Sequence, residues 1–185
     1  MSEITHSLKH QFLMSMPHLH DPNFEGSLTY ICDHNEHGAL GVIINRPLGI
    51  YLGEILEQLK LGGIDRKDTI YAGGPVQIDR GFVIHRPQGK WQATLEIEQG
   101  ICLTTSRDIL KACATNDGPA EILIALGYAG WGAGQLEQEI AENFWLNCPA
   151  DEDILFHTPY EKRFDAAIAK LGIDLSRLSS QIGHA

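Results

Sequence analysis

Residues 27–44 have the sequence SLTYICDHNEHGALGVII, and the strand signals in this stretch decide the fold class. Residues 27–32 alternate in part and are rich in β-branched and aromatic side chains, which favours a strand. Residues 39–44 form a short, continuous apolar run, typical of a strand that is covered on both faces. The polar residues 33–38 predict a loop, so the two runs are expected to pair as a hairpin.

The chain that follows this hairpin predicts an irregular mixture of strands and helices. Helices are predicted by apolar spacing over residues 52–61, from a cap at Thr105 or Ser106 through residue 112, and over residues 135–144 and 159–171. Further strands are predicted at residues 69–72, 81–85, 91–97, 101–104 and 121–126. This order is too irregular for a doubly wound sheet. It predicts an α+β fold, in which helices pack against a mixed sheet.

The length and composition of the chain are those of one ordinary globular domain. It has 185 residues, of which 43% are hydrophobic and 21% charged, close to the average for folded proteins. No repeat, low-complexity block or long linker divides it. We therefore expect a single domain over residues 1–185.

The balance of charges argues against direct contact with nucleic acid. The chain carries 24 acidic residues against 14 lysines and arginines, a formal net charge of −10, which repels phosphate backbones. Basic residues are adjacent only in short pairs such as Arg66-Lys67 and Lys162-Arg163. No basic stripe and no helix-turn-helix is predicted.

The cysteine spacing and the short apolar runs favour a cytoplasmic protein. The four cysteines are Cys32, Cys102, Cys113 and Cys148. Their spacing contains no CxxC motif and does not suggest a secreted disulfide framework. The apolar run at residues 12–14 is too short for a signal peptide, and the longest one, residues 122–131, is about half a membrane span. No membrane association is expected.

Three glycine-containing motifs occur in a characteristic order along the chain. They are GALGVIINRP at residues 38–47, GGPV at 73–76 and LGYAGWGAGQLE at 126–137. With the opening segment 8–24 and the later FWL at 144–146, the chain resembles the AlgH/YqgE family of bacterial proteins over nearly its full length. The resemblance implies a compact mixed α/β fold whose sheet curls toward a partial barrel.

The same resemblance implies a role in transcriptional regulation, tied to alginate production in pseudomonads, and no established catalytic residues. Because the charge balance disfavours contact with DNA, an indirect regulatory role fits the sequence better.

The tripeptide Asn45-Arg46-Pro47 follows a predicted buried strand and is a candidate anion-binding site. Proline is expected to stop ladder pairing, so Arg46 would emerge at the strand end, where it could grip an anionic ligand. In the alternative interpretation, Asn45 bonds local backbone in a turn and Arg46 pairs with an acidic neighbour.

Two glycine-rich segments are further candidates for binding. Gly73-Gly74-Pro75 could present backbone N–H groups to an anion, or be a tight connection between strands, since no Walker lysine accompanies it. Residues 127–134 are predicted to be a loop that runs from a strand into a helix, and this loop either forms a pocket or is packed by Trp131. Glu137 and Glu139 would repel an anion there.

Histidines and cysteines supply weaker candidates for metal binding or catalysis. His18, His20, His34 and His37 lie in predicted loops that could hold a metal or simply be solvated. Cys102 and Cys113 are candidate nucleophiles only if a base adjoins them, and are otherwise small core residues. We expect neither a metal nor a cofactor.

The first hypothesis is therefore a non-catalytic regulatory or interaction protein that binds an unknown protein or small-molecule partner. The candidate binding residues are Asn45, Arg46, Pro47, Gly73, Gly74, Pro75, Trp131 and Gln135. The alternative is an enzyme acting on a small metabolite in the same region, whose catalytic residues the sequence does not identify.

Overall fold

The computed structural model describes residues 6–19, 21–62 and 65–172. Within these residues the strands are β1 (Gln11–Ser15), β2 (Leu28–Asn35), β3 (Gly38–Ile43), β4 (Pro47–Tyr51), β5 (Thr69–Ala72), β6 (Val76–Arg86), β7 (Thr94–Glu98), β8 (Ile101–Thr104), β9 (Glu121–Gly132) and β10 (Trp145–Pro149). The helices are α1 (Leu52–Gln58), α2 (Asp108–Ala114), α3 (Gln135–Ala141) and α4 (Tyr160–Lys170), and a π-turn spans Asp153–His157. No helix in this part of the chain is both long and apolar enough to cross a bilayer.

The described strands form one strongly curled, mixed sheet. Its main path runs β10-β1-β2-β3-β9-β6-β8-β7, with antiparallel neighbours throughout. Strand β5 pairs parallel to β9 and carries β4 at its far edge. The α+β class, the mixed sheet and its curl are therefore confirmed.

Helices cover both faces of the sheet. Leu123 and Ala125 of β9 face a core cluster that includes α4 and the π-turn, whereas Ile122 and Ile124 face a second cluster with α1 and α2. Alternate residues of a strand point to opposite faces, so these two clusters lie on opposite sides of the sheet. A third cluster beside α3 surrounds Trp131.

The predicted hairpin is confirmed, but its loop is shorter than expected. Strand β2 continues to Asn35 and pairs with β3 as far as Gly38, which leaves a tight turn at residues 36–37 in place of a loop over 33–38. The polar residues predicted a loop, but His34 lies in the strand and is buried there, with hydrogen-bond partners for its ring nitrogens. The Leu8 N–H donates to its Nδ1 at 2.8 Å, and its Nε2 contacts Glu137.

The prediction of a glycine-rich loop over residues 127–134 was wrong, since β9 continues through Gly132. Gly127 has φ of +80°, and it shifts the alternation of β9 by one residue. Ala125 faces the α4 cluster, and Tyr128 is the next β9 side chain packed against it. The register between β6 and β9 shifts at this point, where residues 77–80 of β6 stand opposite Gly127. The period-two pattern that marks a strand is therefore broken where the glycines begin.

Three strands and one cap differ from the sequence-based expectation. Strands β1, β4 and β10 were not predicted, and Pro47 does not stop pairing but begins β4, opposite Tyr71. Proline is tolerated as the first residue of a strand because its missing N–H is not yet needed. Helix α2 has Arg107, not Thr105 or Ser106, at its N-cap.

Candidate functional site

Asn45 and Arg46 hold the neighbouring loop 23–26 with their side chains. The Asn45 Oδ1 accepts from the Leu28 N–H at 2.9 Å, and its Nδ2 donates to the Gly26 carbonyl at 3.0 Å. The Arg46 guanidinium donates to the Asn23 carbonyl and, at 2.5 Å, to the Glu25 carbonyl. Both side chains therefore bond backbone groups about twenty residues away in sequence. Among the residues that the structure describes, Asn45 does not bond a local turn, and Arg46 does not pair with an acidic side chain.

Gly73 and Gly74 allow two strands to approach β9 closely. A Cβ on Gly73 would lie 2.3 Å from the Gly127 carbonyl oxygen, and one on Gly74 would lie 2.1 Å from the Tyr128 carbonyl carbon. The Gly73 N–H donates to Leu126 and its carbonyl accepts from Ile43. These backbone groups are used within the sheet, as a tight connection between strands requires.

Trp131 and Gln135 lie near the end of β9, away from the glycine connection. Trp131 is 6% exposed and stacks on Phe24 with 6.2 Å between ring centroids. The indole N–H groups of Trp131 and Trp145 both lie 3.3 Å from Glu139 Oε1, and Gln135 donates to the other oxygen of Glu139 at 3.2 Å. Since Phe24 belongs to the loop that Arg46 holds, Arg46 and Trp131 are joined through that loop.

The candidate binding residues thus occupy two neighbouring regions whose polar groups are engaged in intramolecular contacts. Asn45, Arg46 and Pro47 adjoin Gly73, because the Ala72 N–H donates to the Arg46 carbonyl at 2.8 Å. Trp131 and Gln135 form a separate region. Their role in ligand binding stays a prediction.

Among the described residues, the cysteines are buried and the candidate histidines do not come together. All four cysteines are free and buried, and burial raises the pKa of the Cys102 and Cys113 thiols. No cluster of metal-ligating side chains occurs in the described residues; His20 lies outside them.

The described part of the chain also contains an amphipathic cleft, of about 470 Å³, which the sequence did not reveal. It lies between α1, the middle of β6 and the connection from β8 to α2. Its apolar side chains are Ile55, Leu59, Val83, Leu110, Ile124 and Leu126. Its polar lining consists of Gln58, Asp79, Arg80, Thr105, Ser106 and Arg107.

A glycine opens the β6 wall of this cleft. Gly81 and Val83 share one face of β6, because they are two residues apart on a strand, and both line the cleft. A Cβ built on Gly81 meets no atom within 4 Å. The space beside Gly81 is therefore vacant because this residue has no side chain.

Ser106 of the polar rim is fixed by hydrogen bonds to Asp108 and to the segment that precedes β7. Ser106 Oγ donates to Asp108 Oδ1 at 2.5 Å and accepts from the Ala93 N–H at 3.1 Å. The Gln92 N–H donates to the second oxygen of Asp108 at 2.8 Å. Burial opposes ionisation of Asp108, but these hydrogen bonds prevail and lower its pKa.

Arg80 is held in place by contacts with neutral groups. Its Nη1 donates to Gln77 Oε1 at 3.2 Å and its Nη2 to Thr105 Oγ1 at 3.1 Å. The guanidinium carbon lies 5.7 Å from the centroid of the Phe82 ring, within the range of a cation–π interaction. The charge is thus positioned at the cleft but is not neutralised by these partners.

The cleft residues come from segments that the sequence treats separately. Gly81 was predicted only as the start of a strand, and Thr105 and Ser106 only as helix caps; Arg80 and Arg107 carried no signal. The first half of β6, with polar and exposed residues such as Gln77 and Asp79, did not resemble a strand. Only the tertiary fold brings these residues together.

An apolar floor with a few fixed polar groups is the usual composition of a small-molecule binding site. The fold around it defines the class of protein. A family model described as AlgH-like matches residues 12–176, so the chain belongs to the AlgH-like family.

Relatives of similar length align with this chain over nearly its full length. A UPF0301 protein of Hahella chejuensis is 57% identical over 185 residues, covering both chains completely. One from Thioalkalivibrio sulfidiphilus is 54% identical over 178 residues, 95% of each chain. The solution structure of the AlgH protein from Pseudomonas aeruginosa is 52% identical, with a TM-score of 0.80 over 100% of this chain and 99% of that one.

A more distant structure shares the fold alone. A crystal structure of a protein from Corynebacterium diphtheriae is 16% identical and has a TM-score of 0.71, over 95% of this chain and 92% of that one. The curled sheet is therefore kept at low sequence identity.

Proposed function

We propose that the protein is a non-catalytic regulatory protein that binds a small amphipathic molecule in the cleft between α1, β6 and α2. The observation that carries this proposal is the composition of the cleft, an apolar floor with a hydrogen-bonded polar rim. A volume of about 470 Å³ lies within the range of small-molecule sites. We also propose that the protein is located in the cytoplasm.

The enzyme alternative finds less support in the cleft. Acid–base or nucleophilic catalysis needs an activated group that faces the bound molecule. Among the described residues that line the cleft, the hydroxyl of Ser106 is committed to Asp108, and Asp79 is the only carboxylate.

A hydroxyl–imidazole pair elsewhere has suitable geometry but no access. Thr104 Oγ1 lies 2.7 Å from His85 Nε2, and His85 Nδ1 donates to the Pro87 carbonyl. Burial lowers the pKa of His85, as a general base at neutral pH would require. Both residues are fully buried, however, so a substrate does not reach them in this conformation.

A regulatory role through a bound molecule is compatible with the regulatory role that the family resemblance implies and with the negative net charge of the chain. With a net charge of −10, the chain lacks the electrostatic attraction on which DNA binding depends. A small molecule that alters the surface for a protein partner would act on transcription indirectly. That partner is part of the proposal and is to be identified by experiment.

The proposal is tested by closing the cleft at Gly81. Gly81→Val places a β-branched side chain in vacant space on a strand, which β propensity favours. Gly132→Val is the matched control, since a Cβ there has only the Gln135 Oε1 near it, at 3.8 Å. Gly132 lies six residues beyond Leu126 on β9, roughly 20 Å from the cleft.

Thermal shift against a library of metabolites and nucleotides is the readout. A ligand at about 100 times its Kd stabilises by about 2.7 kcal/mol, which for a chain of this size raises Tm by roughly 5–10 °C. We expect such shifts in the wild type and Gly132→Val and their loss in Gly81→Val. Shifts retained by Gly81→Val would place the ligand elsewhere, and a silent library would contradict small-molecule binding.

A further inference from the structure

We infer that the molecule bound in the cleft is an amphipathic anion, with a carboxylate or phosphate head at Arg80 and Arg107 and an apolar tail on the floor. This inference rests on the proposed function, and adds to it the chemical class of the ligand. It depends on how the arginines of the chain are distributed among partners.

Four of the described arginines are engaged by carboxylates or backbone carbonyls. Arg66 pairs with Asp68, and Arg86 with Glu121 and Glu152. Arg46 donates to the carbonyls of the 23–26 loop, and Arg163 to those of Thr158 and Ile44. Each of these guanidinium groups has acceptors that account for its position.

The other two described arginines, Arg80 and Arg107, both line the cleft. Within the described residues neither has a salt bridge, and only neutral side-chain oxygens accept from Arg80. In a chain of net charge −10, the cleft lining holds two arginines against the single carboxylate of Asp79. The side chains that line the cleft therefore sum to a charge of +1, and the Asp108 carboxylate, bonded to Ser106, lies directly behind this lining.

The contacts of Arg80 favour an anion over a merely solvated charge. Gln77 and Thr105 each accept one hydrogen bond from it, which fixes the plane of the guanidinium without neutralising it. A fixed, planar fork is suited to carboxylate and phosphate oxygens. Since Thr105 accepts from Arg80, its own hydroxyl hydrogen can be donated to the same head group.

The floor selects an apolar tail. Ile55 of α1 and Leu59, which follows the last residue of α1, line the cleft together with Leu110 of α2 and with Ile124 and Leu126 of β9, and all five belong to one apolar cluster. These side chains supply no hydrogen-bonding groups, so a polar tail would lose its hydration without compensation.

Calorimetric titration with four probes of one tail length tests the inference. Octanoate, octyl phosphate, octanol and octylamine differ in their head groups alone. We expect octanoate to bind about 5 to 150 times more tightly than octanol, because each of the two exposed arginines contributes a hydrogen bond of about 0.5–1.5 kcal/mol, and octylamine to bind more weakly than octanol. Octyl phosphate against octanoate decides which anionic head is preferred.

Variants assign the preference to the two arginines. Replacing both by glutamine (Arg80→Gln, Arg107→Gln) should bring octanoate within about 3-fold of octanol while leaving octanol affinity unchanged. Arg80→Lys keeps the charge but not the fork and should be intermediate. Lys90→Gln removes one exposed positive charge outside the cleft and should behave as wild type.

Failure of this inference differs from failure of the proposed function. Equal binding of octanol and octanoate, both lost in Gly81→Val, would overturn the anion and retain the cleft. Octanoate binding that survives Gly81→Val or the double arginine variant would overturn the assignment of the head to this site. If no octyl probe binds while a neutral or cationic library compound does, the inference of an anionic ligand is again overturned. If the library is silent too, the proposal that the cleft binds a small molecule is refuted as well.

Discussion

Arg46→Ala separates the two roles that this residue could have, a grip on an anionic ligand or an anchor for the 23–26 loop. The structure assigns the guanidinium two backbone carbonyls, those of Asn23 and Glu25. Both of these residues are exposed, so water replaces the lost donors and each hydrogen bond contributes only about 0.5–1.5 kcal/mol. We expect Arg46→Ala to lower the free energy of unfolding by about 1–3 kcal/mol.

For a chain of 185 residues this loss corresponds to a fall in Tm of roughly 2–12 °C. Phe24, which lies between the two carbonyls in sequence, stacks on Trp131. Release of the loop should therefore also change tryptophan emission in the native state. Urea unfolding followed by fluorescence measures both quantities, and Arg46→Lys is the conservative control, which keeps the charge and one donor.

Ligand binding supplies the second readout. Because Arg46 does not line the cleft, octanoate should bind Arg46→Ala with wild-type affinity once both are folded. An unchanged Tm together with loss of anion binding would refute this reasoning and restore the ligand-gripping role predicted from the sequence.

Two further changes test the packing of the sheet and the pH dependence of its stability. Gly74→Ala forces a Cβ to within 2.1 Å of the Tyr128 backbone and should destabilise by at least about 1–3 kcal/mol in urea unfolding, whereas Gly132→Ala should be nearly neutral; equal effects would contradict the close approach. Hydrogen bonds to Asp153 and Glu121 raise the pKa of His157, so its contribution to stability is complete below its unfolded pKa of about 6.5 and is lost as pH rises through the raised folded pKa. His157→Gln should therefore be less stable than wild type near about pH 5.5 and equal to it near about pH 9, and a difference that grows with pH would refute the ion pairing.

Local signals predicted the elements whose residues follow one period. The 28–43 hairpin, α1, β5 and α4 were found because β-branched runs or helical spacing persisted through them. Strand β9 was only half found, since Gly127 changes which face its later residues occupy. A glycine that permits close packing and a glycine that ends a strand look the same in sequence.

The candidate site was harder to predict than the fold. Two motif residues have structural contacts: Gly74 lets strands approach closely, and Arg46 holds the 23–26 loop. The cleft instead combines Arg80, Arg107 and Leu59 from three separate segments. Nothing local distinguishes an arginine that lacks a carboxylate partner from one that has it, because the partner is supplied by tertiary structure.

The position of β1 has a consequence for synthesis of the chain. Its two neighbours in the sheet are β2, which follows almost at once, and β10, which ends at Pro149. About 130 residues separate β1 from β10, which at 5–20 residues per second takes roughly 7–26 s to translate. Throughout that interval β1 lacks the strand that pairs with its second edge, and an unpaired edge invites pairing with other chains. The second edge of β1 can therefore close only after β10 has been made.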